Sequence, residues 1–245
     1  MGKIIAIGGG EIGRPGTKVE TMSIDKEIIK LSGKNKPSLL FLPTASNDST
    51  SYYDVVKKHF GDRLGCKTNV LYLIKNKYTE KELRDAILKS DIIYIGGGNT
   101  LKMMKIWKKL GVDKILYEAY EKGIILSGLS AGAICWFKYG NSDSMRFSNS
   151  KAEMIRVKGL NIIDMLLCPH YDLEKHRILS LKNMMQKTRG KAIALDNCSA
   201  IEIIDDKFRI IYSKKEANAY FVYWNKSKYY KELIPRSKTF SPLKF

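Results

Sequence analysis

The residues of this chain that could do chemistry gather around one short run, Gly128-Leu129-Ser130-Ala131-Gly132. It lies between an apolar run ending near Ser127 and a helical pattern beginning near Ala131, the setting of a GxSxG nucleophile elbow. Small neighbours allow a turn tight enough to lift the Ser130 hydroxyl above a sheet. The Ala131 N–H, at a helix start behind the serine, can then face an oxyanion forming on an attacked carbonyl. A tight strand-to-helix turn that merely needs small residues would look the same. A serine nucleophile also needs a base, and the chain holds three histidines. His59 sits in the helical stretch Val55-Val56-Lys57-Lys58-His59-Phe60 and reads as structural, whereas His176 sits in the charged Glu174-Lys175-His176-Arg177 and reads as solvated. His170 follows an apolar strand and Pro169, and in open α/β folds sites gather at the carboxyl ends of strands. His170 is therefore the candidate base, and the chemistry is acyl transfer through a covalent serine intermediate.

A third member would hold the imidazole tautomer and stabilise the imidazolium. Asp143 lies in the loop between nucleophile and base, within Asn141-Ser142-Asp143-Ser144, and Asp172 makes a His-x-Asp arrangement beside the base. Glu153 and Asp196 are further candidates, and spacing alone does not choose among the four. Gly96-Gly97-Gly98-Asn99-Thr100 follows a strand, and the Gly98 N–H could supply a second oxyanion donor opposite Ala131. Phosphate cradling is a weaker use of that turn, because the lysine of a Walker loop is missing. Gly8-Gly9-Gly10-Glu11-Ile12-Gly13 matches GxGxxG, but Arg14-Pro15-Gly16 breaks the helix a dinucleotide site requires. No nucleotide cofactor is expected. No His, Cys and carboxylate cluster has ligand spacing, so no metal is expected either.

The elements that must position these residues read as βα units around a mostly parallel sheet. Strands are expected at Lys3 to Ile7, Ser38 to Leu42, Asn69 to Leu73, Asp91 to Ile95 and Ile124 to Ser127. Continuous apolar runs such as Ile92-Ile93-Tyr94-Ile95 suit strands covered on both faces. Ser23 can cap a helix stopped by Gly33, Thr79 and Glu82 form a capping box, and two helices, Leu101 to Leu110 and Asp113 to Lys122, are split at Gly111. The stretch from Lys138 to Lys158 is polar and irregular and predicts a loop or short hairpin. Met165 to Cys168 then predicts a strand and Glu174 to Gln186 a helix. Four β segments close the chain: Ala192 to Leu195, Ala200 to Ile204, Phe208 to Tyr212 and Tyr220 to Trp224.

The 245 residues carry 43 Lys and Arg against 25 Asp and Glu, a formal net charge of +18. The lysines are spread over nearly every segment and no nucleic-acid motif accompanies them, so a solvated surface is expected and no nucleic-acid partner. No apolar run approaches the roughly 18 residues of a membrane span, and Met1-Gly2-Lys3-Ile4-Ile5-Ala6 is neither a secretory signal nor a myristoylation site. The four cysteines form no CxxC pair, which fits a cytoplasmic protein. No internal repeat or linker divides the chain, and one domain over residues 1–245 is expected, with a homodimer left open.

With these residues in view, the chain resembles the serine peptidase family of peptidase E (aspartyl dipeptidase) and cyanophycinase. The resemblance rests on Phe41-Leu42-Pro43-Thr44-Ala45-Ser46, Gly96-Gly97-Gly98-Asn99-Thr100, Gly128-Leu129-Ser130-Ala131-Gly132-Ala133 and Pro169-His170-Tyr171-Asp172, in the family's order. It implies a glutaminase-like (class I) three-layer α/β/α sandwich, Ser130 as nucleophile, His170 as base and a metal-free mechanism. The family's acid comes from the loop between them, and its short segment matches Asn141-Ser142-Asp143 with one residue inserted. The implied activity is hydrolysis of short peptides, with Gly98 and Ala131 as the oxyanion hole. The residues that read a substrate aspartate find no match here. A small-ligand or partner-binding module that kept the elbow without the chemistry is the alternative.

Overall fold

The computed structural model describes residues 2–172, 175–188 and 190–243. In chain order its first strands and helices are β1 (Lys3–Ile7), α1 (Met22–Leu31), β2 (Ser38–Leu42), α2 (Thr50–Val56), β3 (Lys67–Val70), α3 (Glu80–Leu88), β4 (Ile92–Ile95), α4 (Thr100–Leu110), α5 (Val112–Glu121) and β5 (Ile125–Leu129). There follow α6 (Ala131–Ile134), β6 (Phe137–Ser142), β7 (Ile155–Lys158), β8 (Ile163–Cys168), α7 (Lys175–Gln186) and β9 (Ala192–Leu195). The chain ends on β10 (Ser199–Ile204), β11 (Lys207–Tyr212), β12 (Ala219–Asn225), β13 (Lys228–Leu233) and β14 (Ser241–Pro242).

Among these strands two mixed sheets form. The larger runs β14-β11-β10-β1-β5-β4-β2-β3. It is parallel from β1 to β3 and antiparallel beyond β1. The smaller runs β13-β12-β9-β8-β6-β7. The one mostly parallel sheet read from the sequence is thus a parallel half extended by hairpins, with a second sheet beside it.

Period-two alternation divides the core. Ile4, Ala6, Leu40 and Ile93 pack with α3, α4, α5 and the inner face of the second sheet, while Ile5, Ile7, Phe41 and Tyr94 pack against α1 and α2. Trp107 is fully buried, and its indole N–H donates to Thr44 Oγ1 at 3.2 Å.

Thr79 and Glu82 cap α3 reciprocally, at 3.3 Å from the Glu82 N–H to Thr79 Oγ1 and 2.7 Å from the Thr79 N–H to the Glu82 carboxylate. Gly111 takes the left-handed conformation that separates α4 from α5. Three expectations need correction. Ser23 does not cap α1: the preceding position is Thr21, whose hydroxyl is spent on Asp25, and Ser23 Oγ donates to the Tyr212 carbonyl. β3 lies earlier than Asn69 to Leu73, because its partner is the amino-terminal part of β2. β13 was not read from the sequence at all, whereas the stretch after Phe137 takes the hairpin form, β6 with β7, that was one of the two expected of it. The expected helix start at Glu174 lies outside the described residues.

Candidate active site

Ser130 follows β5 with φ 57° and ψ −107°, a strained conformation for a residue with a side chain. The turn is tight because two glycines share one space. A Cβ on Gly128 would lie 2.4 Å from the Gly132 carbonyl oxygen, and a Cβ on Gly132 would lie 2.2 Å from that of Ile95. The helix behind the serine is a single turn, since the buried Cys135-Trp136-Phe137 is drawn onto the segment leading into β8. What remains beside Ser130 is therefore a local N–H, that of Ala131, rather than a long helix dipole. The glycine turn after β4 abuts the elbow: a Cβ on Gly97 would sit 3.5 Å from Ser130 Cβ. The Gly97 N–H is taken by the Tyr52 hydroxyl at 3.3 Å, whereas among the described residues the N–H groups of Gly98 and Ala131 meet no acceptor.

His170 also has a positive φ, 53°. Three successive carbonyls at the end of β1 hold the surrounding loops. Ile7 accepts from the Ser130 N–H at 3.1 Å, Gly8 from the His170 N–H at 3.0 Å and Gly9 from the Cys198 N–H at 2.9 Å. The Ile7, Gly8 and Gly9 carbonyls thus serve as a backbone template for three loops. Ser130 and His170 line one cleft of about 490 Å³ together with Gly98, although among the described residues no hydrogen bond joins Ser130 Oγ to the ring. Free serine–histidine pairs are often this loose. Burial holds the His170 imidazole below its usual pKa; Arg177 adds to that, while Asp143 and Asp172 oppose it.

The acids read from the sequence are placed elsewhere. Asp143, its side chain 41% exposed, lies 3.5 Å from Arg177 Nη2. Asp172 accepts the Asn197 N–H at 2.8 Å; the positive φ of His170 turns the chain, so the two side chains are not aligned as an extended strand would align them. Asp196 accepts the Asn218 N–H at 2.9 Å, and burial pushes its carboxyl up to about 6. Glu153 borders a separate groove with Arg146 and His176. The group on His170 Nδ1 is the side-chain oxygen of Asn197, at 2.6 Å. Sequence reasoning missed it, and its signal was position: Asp196-Asn197 ends a strand just as Pro169-His170 does.

The far wall of the cleft is the loop after Gly10. Glu11, Ile12, Arg14 and Pro15 line it, and the Arg14 guanidinium is held by both carboxylate oxygens of Glu11. Beneath this loop a chain of bonds runs inward from the exposed Arg63 to His59 Nδ1 (2.8 Å), from buried His59 Nε2 to buried Asp25 (2.8 Å) and from Thr21 Oγ1 to Asp25 (2.7 Å). His59 and Asp25 are 1% and 0% exposed. Among the described residues no helix is long and apolar enough to cross a membrane.

Solved structures share the architecture. A peptidase from an acI-B1 Actinobacterium superposes with a TM-score of 0.74 at 18% identity, covering 99% of this chain and 97% of that one. A candidate peptidase E protein from Listeria monocytogenes EGD-e superposes with a TM-score of 0.64 at 21% identity, covering 86% and 98%. In sequence, the uncharacterized peptidase YgaJ of Bacillus subtilis (strain 168) is 35% identical over 224 residues, 91% of this chain and 92% of the relative. The model of peptidase family S51 matches residues 4–211. With a match over that span and a 35% identical relative aligned almost end to end, the chain belongs to peptidase family S51.

Proposed function

We propose that this peptidase is of the serine type and hydrolyses short peptides in the manner of a dipeptidase. The observation that carries the reading is the cleft that joins the strained Ser130, the half-buried His170 and the unengaged N–H groups of Gly98 and Ala131. Ser130 Oγ attacks the scissile carbonyl while His170 Nε2 takes its proton. The oxyanion is met by the Gly98 and Ala131 N–H groups, and His170 then protonates the leaving amine. Water repeats the sequence on the acyl-enzyme. Asp143, the acid implied by the resemblance, acts on the imidazolium through its charge across the loop rather than through a hydrogen bond.

A volume near 490 Å³ suits a small ligand of two or three residues better than a folded chain. Among the described residues lining it, the one cationic side chain is Arg14, already bound by Glu11. The aspartate preference of aspartyl dipeptidase is therefore not carried over. We further infer the three-layer, class I glutaminase-like arrangement, which the helices on both faces of the parallel strands support, and a cytoplasmic setting, which the absence of any CxxC pair in the sequence supports.

A fluorophosphonate probe tests the serine reading directly. It should label the wild-type protein and not Ser130→Ala; equal labelling of both, or of neither, would sink the assignment. A dipeptide library then gives the preferred residue. The pH dependence follows from burial of the base. His170 must be neutral to act, so kcat/KM rises with pH through its pKa and is full above it. Because burial lowers that pKa, the midpoint of the acid limb should fall below 6.5, and a midpoint above 7 would contradict it.

A further inference from the structure

We propose that Asn197 is the positioning residue of the catalytic imidazole, standing where a serine–histidine–acid triad has its acid. The proposal rests on the reading of Ser130 and His170 as nucleophile and base. Asn197 Oδ1 lies 2.6 Å from His170 Nδ1. An amide oxygen only accepts, so Nδ1 carries the proton and the Nε2 lone pair is left for Ser130.

The strands deliver the pair. β8 and β9 are parallel neighbours in the second sheet, with Cys168 beside Ala194, so their carboxyl ends bring His170 and Asn197 to one edge. Asn197 is then held on both sides. Asp172 accepts its backbone N–H at 2.8 Å, and Cys198, at φ 62°, donates to the Gly9 carbonyl. On the preceding side Asp196 is tied to Asn218 through its backbone N–H (3.1 Å) and its carboxylate (2.9 Å). This is the fixed support that an orienting group needs.

Gly9 supplies the second observation. A Cβ there would fall 1.9 Å from Asn197 Oδ1 and 2.4 Å from His170 Nδ1, so the imidazole and the amide lie together on bare backbone. The space at the end of β1 is shaped to this pair. Among the described residues no carboxylate replaces Asn197: Asp143 lies on Arg177, Asp172 holds the Asn197 N–H and Asp196 holds Asn218. An amide in that place orients the ring without placing a full negative charge against it. The charged groups that act on His170 are then Arg177, Asp143 and Asp172, over the dominant effect of burial.

The test uses full-length protein and the rate of fluorophosphonate labelling of Ser130 against pH, which needs no knowledge of the natural substrate. Asn197→Ala should lower the labelling rate constant on the order of 100-fold with an unchanged circular-dichroism spectrum. Asn197→Asp should recover at least a tenth of the wild-type rate and raise the pH midpoint by about one unit or more, since a carboxylate favours the imidazolium. Nitrogen-15 NMR of wild type should show the proton on His170 Nδ1. An Asn197→Ala rate within threefold of wild type, or a proton found on Nε2, would overturn the proposal. If Asn197→Ala fails to fold, Asn197→Asp decides, because an unmoved midpoint in a folded variant excludes contact with the ring. Absence of labelling in the wild type would be a different result, one that removes the serine–histidine reading itself.

Discussion

Ser130→Ala and His170→Ala should each lower kcat by about 10⁵- to 10⁶-fold, and the double variant should be no more than a few-fold worse than either single one. The reason is mechanistic unity: without the nucleophile the base has no proton to take, and without the base the hydroxyl is a poor nucleophile at neutral pH. The residual rate would come from the Gly98 and Ala131 N–H groups and from substrate binding, which survive both changes. Both variants should fold as wild type, since the backbone N–H groups of Ser130 and His170, not their side chains, hold the turns to the Ile7 and Gly8 carbonyls. Steady-state kinetics on the best dipeptide, beside thermal unfolding, gives the answer. Losses that multiply across the two positions would mean that the residues act independently.

The second large effect is on stability. Asp25→Ala should cost about 3 kcal/mol, because it leaves the buried His59 Nε2–H without its acceptor and removes the bond from the Thr21 hydroxyl. Asp25 is fully buried, and burial drives its carboxyl pKa up against the His59 and Thr21 bonds that pull it down. Removing it leaves the His59 ring, 1% exposed, with Arg63 on one nitrogen and nothing on the other. For a chain of this length the loss corresponds to a fall in Tm on the order of 10 °C. Asp25→Leu combined with His59→Leu should recover most of it, because the desolvation cost disappears with both groups. Urea unfolding of the three variants measures each step, and a cost below 1 kcal/mol for Asp25→Ala would show that the pair contributes little. The pair also lies under the Glu11 loop, through the Thr21 hydroxyl and the Glu11 carbonyl, so Asp25→Ala should loosen one wall of the cleft.

The amino-acid sequence by itself determined what depends on near neighbours. Continuous apolar runs set β1, β2, β4, β5, β8 and β9 to within a residue or two, and glycines after the runs marked where the chain must turn. The Gly128–Gly132 turn and the Thr79–Glu82 cap are legible because each interaction closes within four residues. His59 reads as structural from its helical, apolar surroundings, and the buried Asp25 beside it agrees. What the His170 ring touches was not legible. Asp172 is two residues away in sequence and Asp143 lies in the loop expected to reach back, yet Asn197, 27 residues on, meets the ring.

That outcome belongs to tertiary structure. Lateral pairing of β8 with β9 puts two strand ends side by side, the positive φ of His170 turns Asp172 away, and Arg177 from α7 draws Asp143 aside. Strand order and backbone handedness at a single residue are decided by packing across the whole molecule, and no local pattern encodes them. The same holds for the template at the end of β1. Three consecutive carbonyls fasten loops from residues 130, 170 and 198, and their glycines carry meaning only once those loops have arrived.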